Sequence, residues 1–326
     1  MKINNKGAIK VYNGFGHKHD MEVFGHAFKR QIRLRNKYSR NPLTNMTDLI
    51  RLFFIKPLPN IPVHLTWWDQ KVDVLTEYDG FFRLSWQSAD EVPAGWHNVE
   101  VHSLNGSAIA PGRGKLFVPH ITQFGFISDI DDTILVSHSA TILRRLRELL
   151  FKNLTDRLIF TDTALHYELL SSAHTTLDAP NPFFYISSSE WNLYDYLQTV
   201  FKKNHLPEGA FLLNQVKRWY ELWKTGKTKH EGKLLRILRI LKVFPHQQFV
   251  LFGDNTQSDP AIYAKLAERF SHRMFAVYIR NVSSKNEKLT KQLLQSMADK
   301  NIHVLLFKES SEAIAHSRQI GLINSS

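Results

Sequence analysis

Beyond residue 120 the chain repeats one pattern, a short apolar run of strand length followed by a stretch with helical spacing. The apolar runs cover 124–128, 183–187, 248–252, 274–279 and 302–307. Between the second and third of them, 232–243 places Leu234, Ile237, Leu238 and Leu241 on one helical stripe. Residues 258–271 and 286–299 also read as helices. Alternation of this kind predicts a parallel sheet covered on both faces, a Rossmann-like α/β domain. Ligands of such sheets lie at the carboxyl ends of the strands.

Before residue 120 the pattern is different. Residues 61–68 form an apolar strand candidate, and 72–76 and 82–86 flank Tyr78-Asp79-Gly80, which reads as a hairpin turn. Val99 and Val101 alternate with polar neighbours, and 114–119 reads as another strand. Short alternating strands broken by Gly and Pro predict a small antiparallel β-sandwich, with a helix at 45–56 capped by Thr47 or Asp48. The expected organisation is therefore a β-sandwich domain at 1–119 and an α/β domain at 120–326. Residues 134–182, between the first two strands of the second domain, read as a small cap insertion.

With 326 residues, two cores are affordable. The chain has no cysteine, which excludes disulfides, thiolate catalysis and Cys-based zinc sites. Its first residues carry no apolar run of signal-peptide type. No segment reaches the roughly 20 apolar residues of a membrane-spanning helix. The expectation is a soluble cytoplasmic protein. The net charge of +12 favours an acidic partner: a phosphorylated substrate, an anionic membrane surface or nucleic acid. Nucleic acid is the least expected, since no recognition motif or stacking platform accompanies the charge.

The strand ends carry the chemistry. The first run ends in Asp129-Ile130-Asp131-Asp132-Thr133. Residues two apart on a strand share a face, so Asp129 and Asp131 are expected to meet. A hard cation such as Mg²⁺ suits two close carboxylates. Asp129 is then the nucleophile on phosphorus and Asp131 the general acid/base, although an aspartate-rich turn in water is the bland alternative. The 248–252 run continues into Gly253-Asp254, with Asp259-Pro260 five residues on. Asp254 would complete a metal site with Asp129 and Asp131. Asp259 can join it or simply cap a helix with Pro260 in its first turn. The 183–187 run ends at Ser187-Ser188, placed with Thr133 to hold phosphate oxygens, or else to cap a helix. Lys233 is the preferred charge clamp on the phosphoryl group over Lys227 and Lys229, because it directly precedes the amphipathic run.

Taken together and in order, these elements resemble the four motifs of the haloacid dehalogenase superfamily. More narrowly, the chain resembles the App1 family of phosphatidate phosphatases. That likeness rests on the stretch from Ser187 to Tyr194, on Phe244-Pro245, and on the stretches from Phe249 to Asp254 and from Gln257 to Tyr263. It extends to the β-domain in Tyr12-Asn13-Gly14-Phe15-Gly16, Val23-Phe24-Gly25-His26-Ala27, Asp79-Gly80-Phe81-Phe82 and Gly95-Trp96-His97. The resemblance implies Mg²⁺-dependent hydrolysis of phosphatidate to diacylglycerol on a haloacid-dehalogenase-type fold. One position departs from it: Glu190 stands where the family usually has proline, which adds a carboxylate near the serine meant for phosphate. Basic amphipathic residues 141–152 can lie on an anionic bilayer or pack inward as an ordinary cap helix. Two other functions stay open: a phosphatase of a soluble phosphoester, and a non-catalytic module that binds a membrane or a partner.

Overall fold

The structure, a computed structural model, describes residues 7–30, 56–104, 109–135, 159–176, 179–214 and 229–324, with the side chains of 229–231 left aside. The expected helices at 45–56 and 141–152 lie almost wholly or wholly outside the described residues. The chain divides into two compact units, Met1–His120 with Asn192–Asp195, and Ile121–Trp191 with Tyr196–Ser326.

Among its described residues the first unit contains nine strands: β1 (Gly7–Val11), β2 (Gly14–His17), β3 (Asp20–Phe28), β4 (Pro62–Trp67), β5 (Gln70–Leu75), β6 (Phe81–Trp86), β7 (Gly95–Ser103), β8 (Ile109–Ala110) and β9 (Gly112–Val118). They hydrogen-bond into one mainly antiparallel sheet, with parallel pairs between β1 and β8 and between β2 and β9. Alternate residues fill its core, as period-2 patterning demands: Val63, Leu65 and Trp67 from β4, Val99 and Val101 from β7, Leu116 and Val118 from β9.

The expected hairpin between 72–76 and 82–86 is not a paired one. Its turn exists, with Gly80 at φ 79° and the Phe81 N–H bonded to Asp79 Oδ1 at 3.0 Å. The Ala27 N–H, however, donates to the Gly80 carbonyl at 2.8 Å and fastens the turn to β3. β6 therefore pairs with β3, from Met21↔Trp86 to His26↔Phe81. β5 pairs instead with β4 through a tight turn at Trp68-Asp69, which the sequence reading placed inside or beside a strand.

Among its described residues the second unit is built on six parallel strands: β10 (Gly125–Asp129), β11 (Phe183–Glu190), β12 (Ala210–Asn214), β13 (Phe249–Asp254), β14 (Met274–Arg280) and β15 (His303–Phe307). Their order is β12-β11-β10-β13-β14-β15. Counted from β10 this is 3-2-1-4-5-6, the doubly wound order, in which the direction of winding reverses beside the first strand. The helices are α1 (Thr163–Ser172), α2 (Tyr194–Lys203), α3 (Lys229–Val243), α4 (Asp259–Phe270), α5 (Glu287–Ala298) and α6 (Ser310–Gln319). The sequence left β12, α1, α2 and α6 unassigned.

Two local results bear on the site. On α3 the buried positions are Lys233, Ile237, Ile240 and Leu241, while Leu234 and Leu238 are half-buried. The stripe is thus rotated by about one residue from the expected one, and Lys233 lies on its buried face. The end of the expected cap insertion, α1, belongs to the layer against the sheet. Tyr167 stacks on Phe183, lies 5.2 Å from the Phe252 ring and shares a 2.7 Å hydrogen bond with Ser128 Oγ. Three rings and a buried hydroxyl hold this segment down. The stretch left for a cap, 136–158, lies outside the described residues.

Candidate active site

β10 and β13 are neighbours, and they end in Asp129 and Asp254. Parallel register brings both carboxylates to one sheet edge, at the reversal point of the winding. Gly253 makes room for a third. A Cβ on it would lie 2.6 Å from Asp259 Oδ2, so only glycine lets the first residue of α4 fold back against β13. The Asp254 N–H points at Asp259 Oδ2, 3.3 Å away. Asp129, Asp254 and Asp259 are all buried, and each offers an oxygen within 4.8 Å of the others. This cluster could bind a metal ion. Asp259 is fully buried and cannot be a solvated cap; Ser258 is the N-cap residue of α4, and its side chain makes no cap bond.

Lys233 enters from the buried face of α3. Its Nζ donates to Asp129 Oδ1 at 2.7 Å and also to Asp259 Oδ1. Three carboxylates face one ammonium, and burial makes that imbalance costly. Burial lifts the Asp129 carboxyl well above the usual carboxylate range; Lys233 opposes the lift, and Asp259, Asp254 and Asp131 add to it. Burial and Asp259 push Asp254 up to about 7. Burial works to lower the Lys233 pKa, but Asp129 and Asp259 outweigh it and hold the ammonium charged. Such a site favours an added proton or cation. The competitor Lys227 and the side chain of Lys229 lie outside the described residues.

Asp131 is placed differently from expectation. β10 stops at Asp129, so the two carboxylates do not share a strand face. Asp131 stands outside the three-carboxylate cluster, and its Oδ2 accepts the Ser187 hydroxyl at 3.3 Å. Thr133 Oγ1 reaches Asp129 Oδ2 at 3.5 Å, a long contact. Ser187 Oγ also accepts the Ser189 N–H at 3.0 Å, a contact within β11 and not a helix cap, because the strand runs on to Glu190. The Ser188 carbonyl accepts from Asn214 Nδ2 at 2.9 Å.

Several residues of the site gave no signal that was used. Arg236 sits one helical turn beyond Lys233 and bonds Asn214 Oδ1 at 2.6 Å. Its i,i+3 spacing from Lys233 could have found it. Arg280 ends β14, and the strand-end rule applied to the 274–279 run would have reached it. Its guanidinium lies 4.0 Å from the Phe160 ring centre, and its Nε donates to the Thr133 carbonyl at 3.0 Å. It thus anchors the turn that follows the aspartates. Thr256 and Gln257 give backbone N–H groups to Asp254 Oδ1, at 2.6 and 3.2 Å. Asn255, nearly fully buried, holds the loop after β14 through the Val282 and Ser283 N–H groups.

Fold and site define a class, a doubly wound α/β domain with a buried carboxylate cluster and a lysine at its switch point. Residues 124–281 match the family described as phosphatidate phosphatase APP1, catalytic domain. This segment is similar to the catalytic domain of the App1 family of phosphatidate phosphatases, a likeness that supports a phosphoric monoester hydrolase. Over 160 residues the chain is 29% identical to Phosphatidate phosphatase APP1 of Saccharomyces cerevisiae, an alignment covering 49% of this chain and 26% of that protein. Over 171 residues it is 24% identical to Uncharacterized protein C29B5.04c of Schizosaccharomyces pombe, covering 51% of this chain and 27% of that one. The matched stretches thus make up about a quarter of the length of these relatives. Among solved structures, a carbohydrate acetylesterase from Xanthomonas citri aligns over 95% of this chain and 72% of its own. Its TM-score of 0.34 and 8% identity carry no inference about fold or function.

Proposed function

We propose that the second unit is a magnesium-dependent phosphatase that forms an aspartyl-phosphate on Asp129 and hydrolyses phosphatidate to diacylglycerol. The observation that carries this reading is the Lys233 ammonium 2.7 Å from Asp129 Oδ1, within a buried carboxylate cluster at the switch point. An all-oxygen, buried, negatively charged donor set fits Mg²⁺. Asp129, Asp254 and Asp259 would hold it, and when bound it supplies positive charge against the carboxylates and the phosphoryl oxygens.

The residues divide the work as follows. A carboxylate oxygen of Asp129 forms the bond to phosphorus as the bond to the lipid oxygen breaks. Asp131, close to Ser187 and outside the cluster, gives its proton to the departing oxygen. It then takes a proton from the water that cleaves the aspartyl-phosphate. The products are diacylglycerol and inorganic phosphate, with Asp129 regenerated. Lys233 neutralises charge on the transferring group, and Thr133, Ser187 and Ser188 hold its oxygens. This reading makes the fold one of haloacid dehalogenase type, with the first unit an accessory β-domain.

The charge of +12 supports a substrate in an anionic bilayer surface, met from the cytoplasmic side. Among the described residues no helix is long and apolar enough to cross a membrane, so the contact would be peripheral. A second reading, a soluble phosphoester as substrate, is favoured by Glu190, whose carboxyl ends β11 and is pushed upward by burial. Phosphate release from phosphatidate in vesicles, compared with a short-chain soluble phosphoester, separates the two. The lipid reading predicts faster turnover on vesicles, rising with their negative charge and abolished by a chelator. Turnover indifferent to vesicle charge, and higher on the soluble ester, would reject it.

A further inference from the structure

At the end of β11 the ladder to β12 slips. Ile186 pairs with Leu212, and the next registered pair is Glu190 with Asn214. Residues 187–189 therefore stand opposite Leu213 alone. Such a bulge takes backbone groups off the ladder and re-aims side chains, and bulges concentrate beside active sites. Here two side chains take over the displaced carbonyls. Asn214 Nδ2 donates to the Ser188 carbonyl at 2.9 Å, and Arg236 Nη2 lies 3.5 Å from the Ser187 carbonyl. Arg236 Nη1 donates to Asn214 Oδ1 at 2.6 Å, which closes a ring of contacts through α3, β12 and the bulge. Within that ring the Ser187 hydroxyl faces Asp131.

Holding a bulge does not by itself call for a charge. Both Arg236 hydrogen bonds go to neutral oxygens, and its buried Nε–H has no acceptor. The charge of Asp129 acts on this guanidinium without a hydrogen bond to it. Burial lowers its pKa to about 10, which leaves it charged at neutral pH.

Building on the phosphatase reading above, we propose that Arg236, with Asn214, is a positioning residue for the substrate phosphate. The pair holds the bulge at residues 187–189 in the form that offers the Ser187 hydroxyl and the following backbone N–H groups to phosphate oxygens. The guanidinium adds positive potential at that end of the cleft. Arg236 acts through the bulge, not on the reacting atoms.

The test uses the full chain, with Arg236→Gln, Arg236→Lys and Asn214→Ala. Binding of inorganic phosphate in the presence of Mg²⁺ is measured by calorimetry, and KM and kcat are measured on phosphatidate vesicles. Arg236→Gln and Asn214→Ala are each expected to weaken phosphate binding about tenfold and to raise KM similarly, the scale of one charge-assisted contact. The change in kcat should stay within about threefold, and Mg²⁺ affinity should not move. Arg236→Lys, which keeps the charge but loses the planar fork, is expected to recover only part of the loss. Unchanged phosphate affinity in Asn214→Ala, with full recovery in Arg236→Lys, would overturn the brace and leave a point charge. If Arg236→Gln fails to fold, Asn214→Ala decides alone, because it removes only the neutral member. A wild-type chain that releases no phosphate from phosphatidate or from a soluble phosphoester defeats the phosphatase reading itself; one that releases it but binds phosphate no more tightly than the variants do defeats only the brace.

Discussion

Replacing Lys233 by Met should destabilise the second unit by an amount that depends on pH in a defined direction. The residue is 8% exposed and its ammonium bonds two carboxylates, Asp129 at 2% and Asp259 at 0% exposure. Met fills a similar volume, so the loss is electrostatic. Removing one member of a buried ion pair costs about 3–5 kcal/mol. A second route gives the same scale. The bared carboxylate can escape by taking a proton. Keeping one further carboxyl neutral at pH 7.5, beyond the proton that burial already favours in the cluster, costs up to roughly 5 kcal/mol from an ordinary value of 3.8 at ~1.4 kcal/mol per unit.

The sign follows from proton linkage. The variant raises the folded-state carboxyl pKa, so its folded state binds more protons than the unfolded chain, and its penalty grows as pH rises. At pH 5 the same calculation leaves under about 2 kcal/mol. Urea unfolding followed by circular dichroism at pH 7.5 and pH 5 reads both values, with the second unit's transition fitted separately. Added Mg²⁺ should narrow the gap at pH 7.5 by replacing the lost positive charge. A penalty below about 0.5 kcal/mol at pH 7.5, typical of a solvated surface lysine, would refute the argument. So would a penalty that does not change with pH.

Other perturbations test neighbouring parts of the account. Gly253→Ala sets a methyl 2.6 Å from Asp259 Oδ2 and must push Asp259 out of the cluster. We expect about 1–3 kcal/mol of lost stability and at least tenfold weaker Mg²⁺ binding by calorimetry; unchanged binding would show that Asp259 is not a ligand. His166 is buried, bonded to Ser317 Oγ, and held neutral by burial with a pKa of about 3. The unfolded chain then binds the extra proton below pH 6.5, so stability falls as pH drops from there toward 3. The fall by pH 5 is about 2 kcal/mol. His166→Asn should flatten that part of the curve, and identical slopes in both proteins would contradict it.

Much of the second unit could be read directly from sequence. Strand-length apolar runs fixed five of its six strands, because parallel strands buried on both faces leave no polar alternation to confuse them. Asp129 and Asp254 end their strands as the sequence suggests, whereas Ser187 lies inside β11 and Lys233 is the fifth residue of α3, not its start. β12 was left unassigned because Ala210–Asn214 is a short apolar run, and Asn214 was lost with it. Asp131 was misplaced for a smaller reason. Alternation was carried two residues past the last strand residue, Asp129, where the backbone already turns and Asp132 takes a φ of 61°. In the first unit, β1 to β3 showed up only through family likeness, since glycine at 7, 14, 16 and 25 breaks their apolar pattern. Which strand pairs with which depends on long-range contacts such as Ala27 to Gly80, and no local pattern reports those.

The central claim is that phosphorus becomes bonded to Asp129. Acid-quenched turnover of phosphatidate carrying a radiolabelled phosphate measures it most directly. The account predicts label on the wild-type protein that is released by hydroxylamine, as an acyl phosphate is. It predicts neither label nor phosphate release from Asp129→Asn. Continued turnover by that variant, or wild-type turnover with no labelled protein at any time, would contradict it.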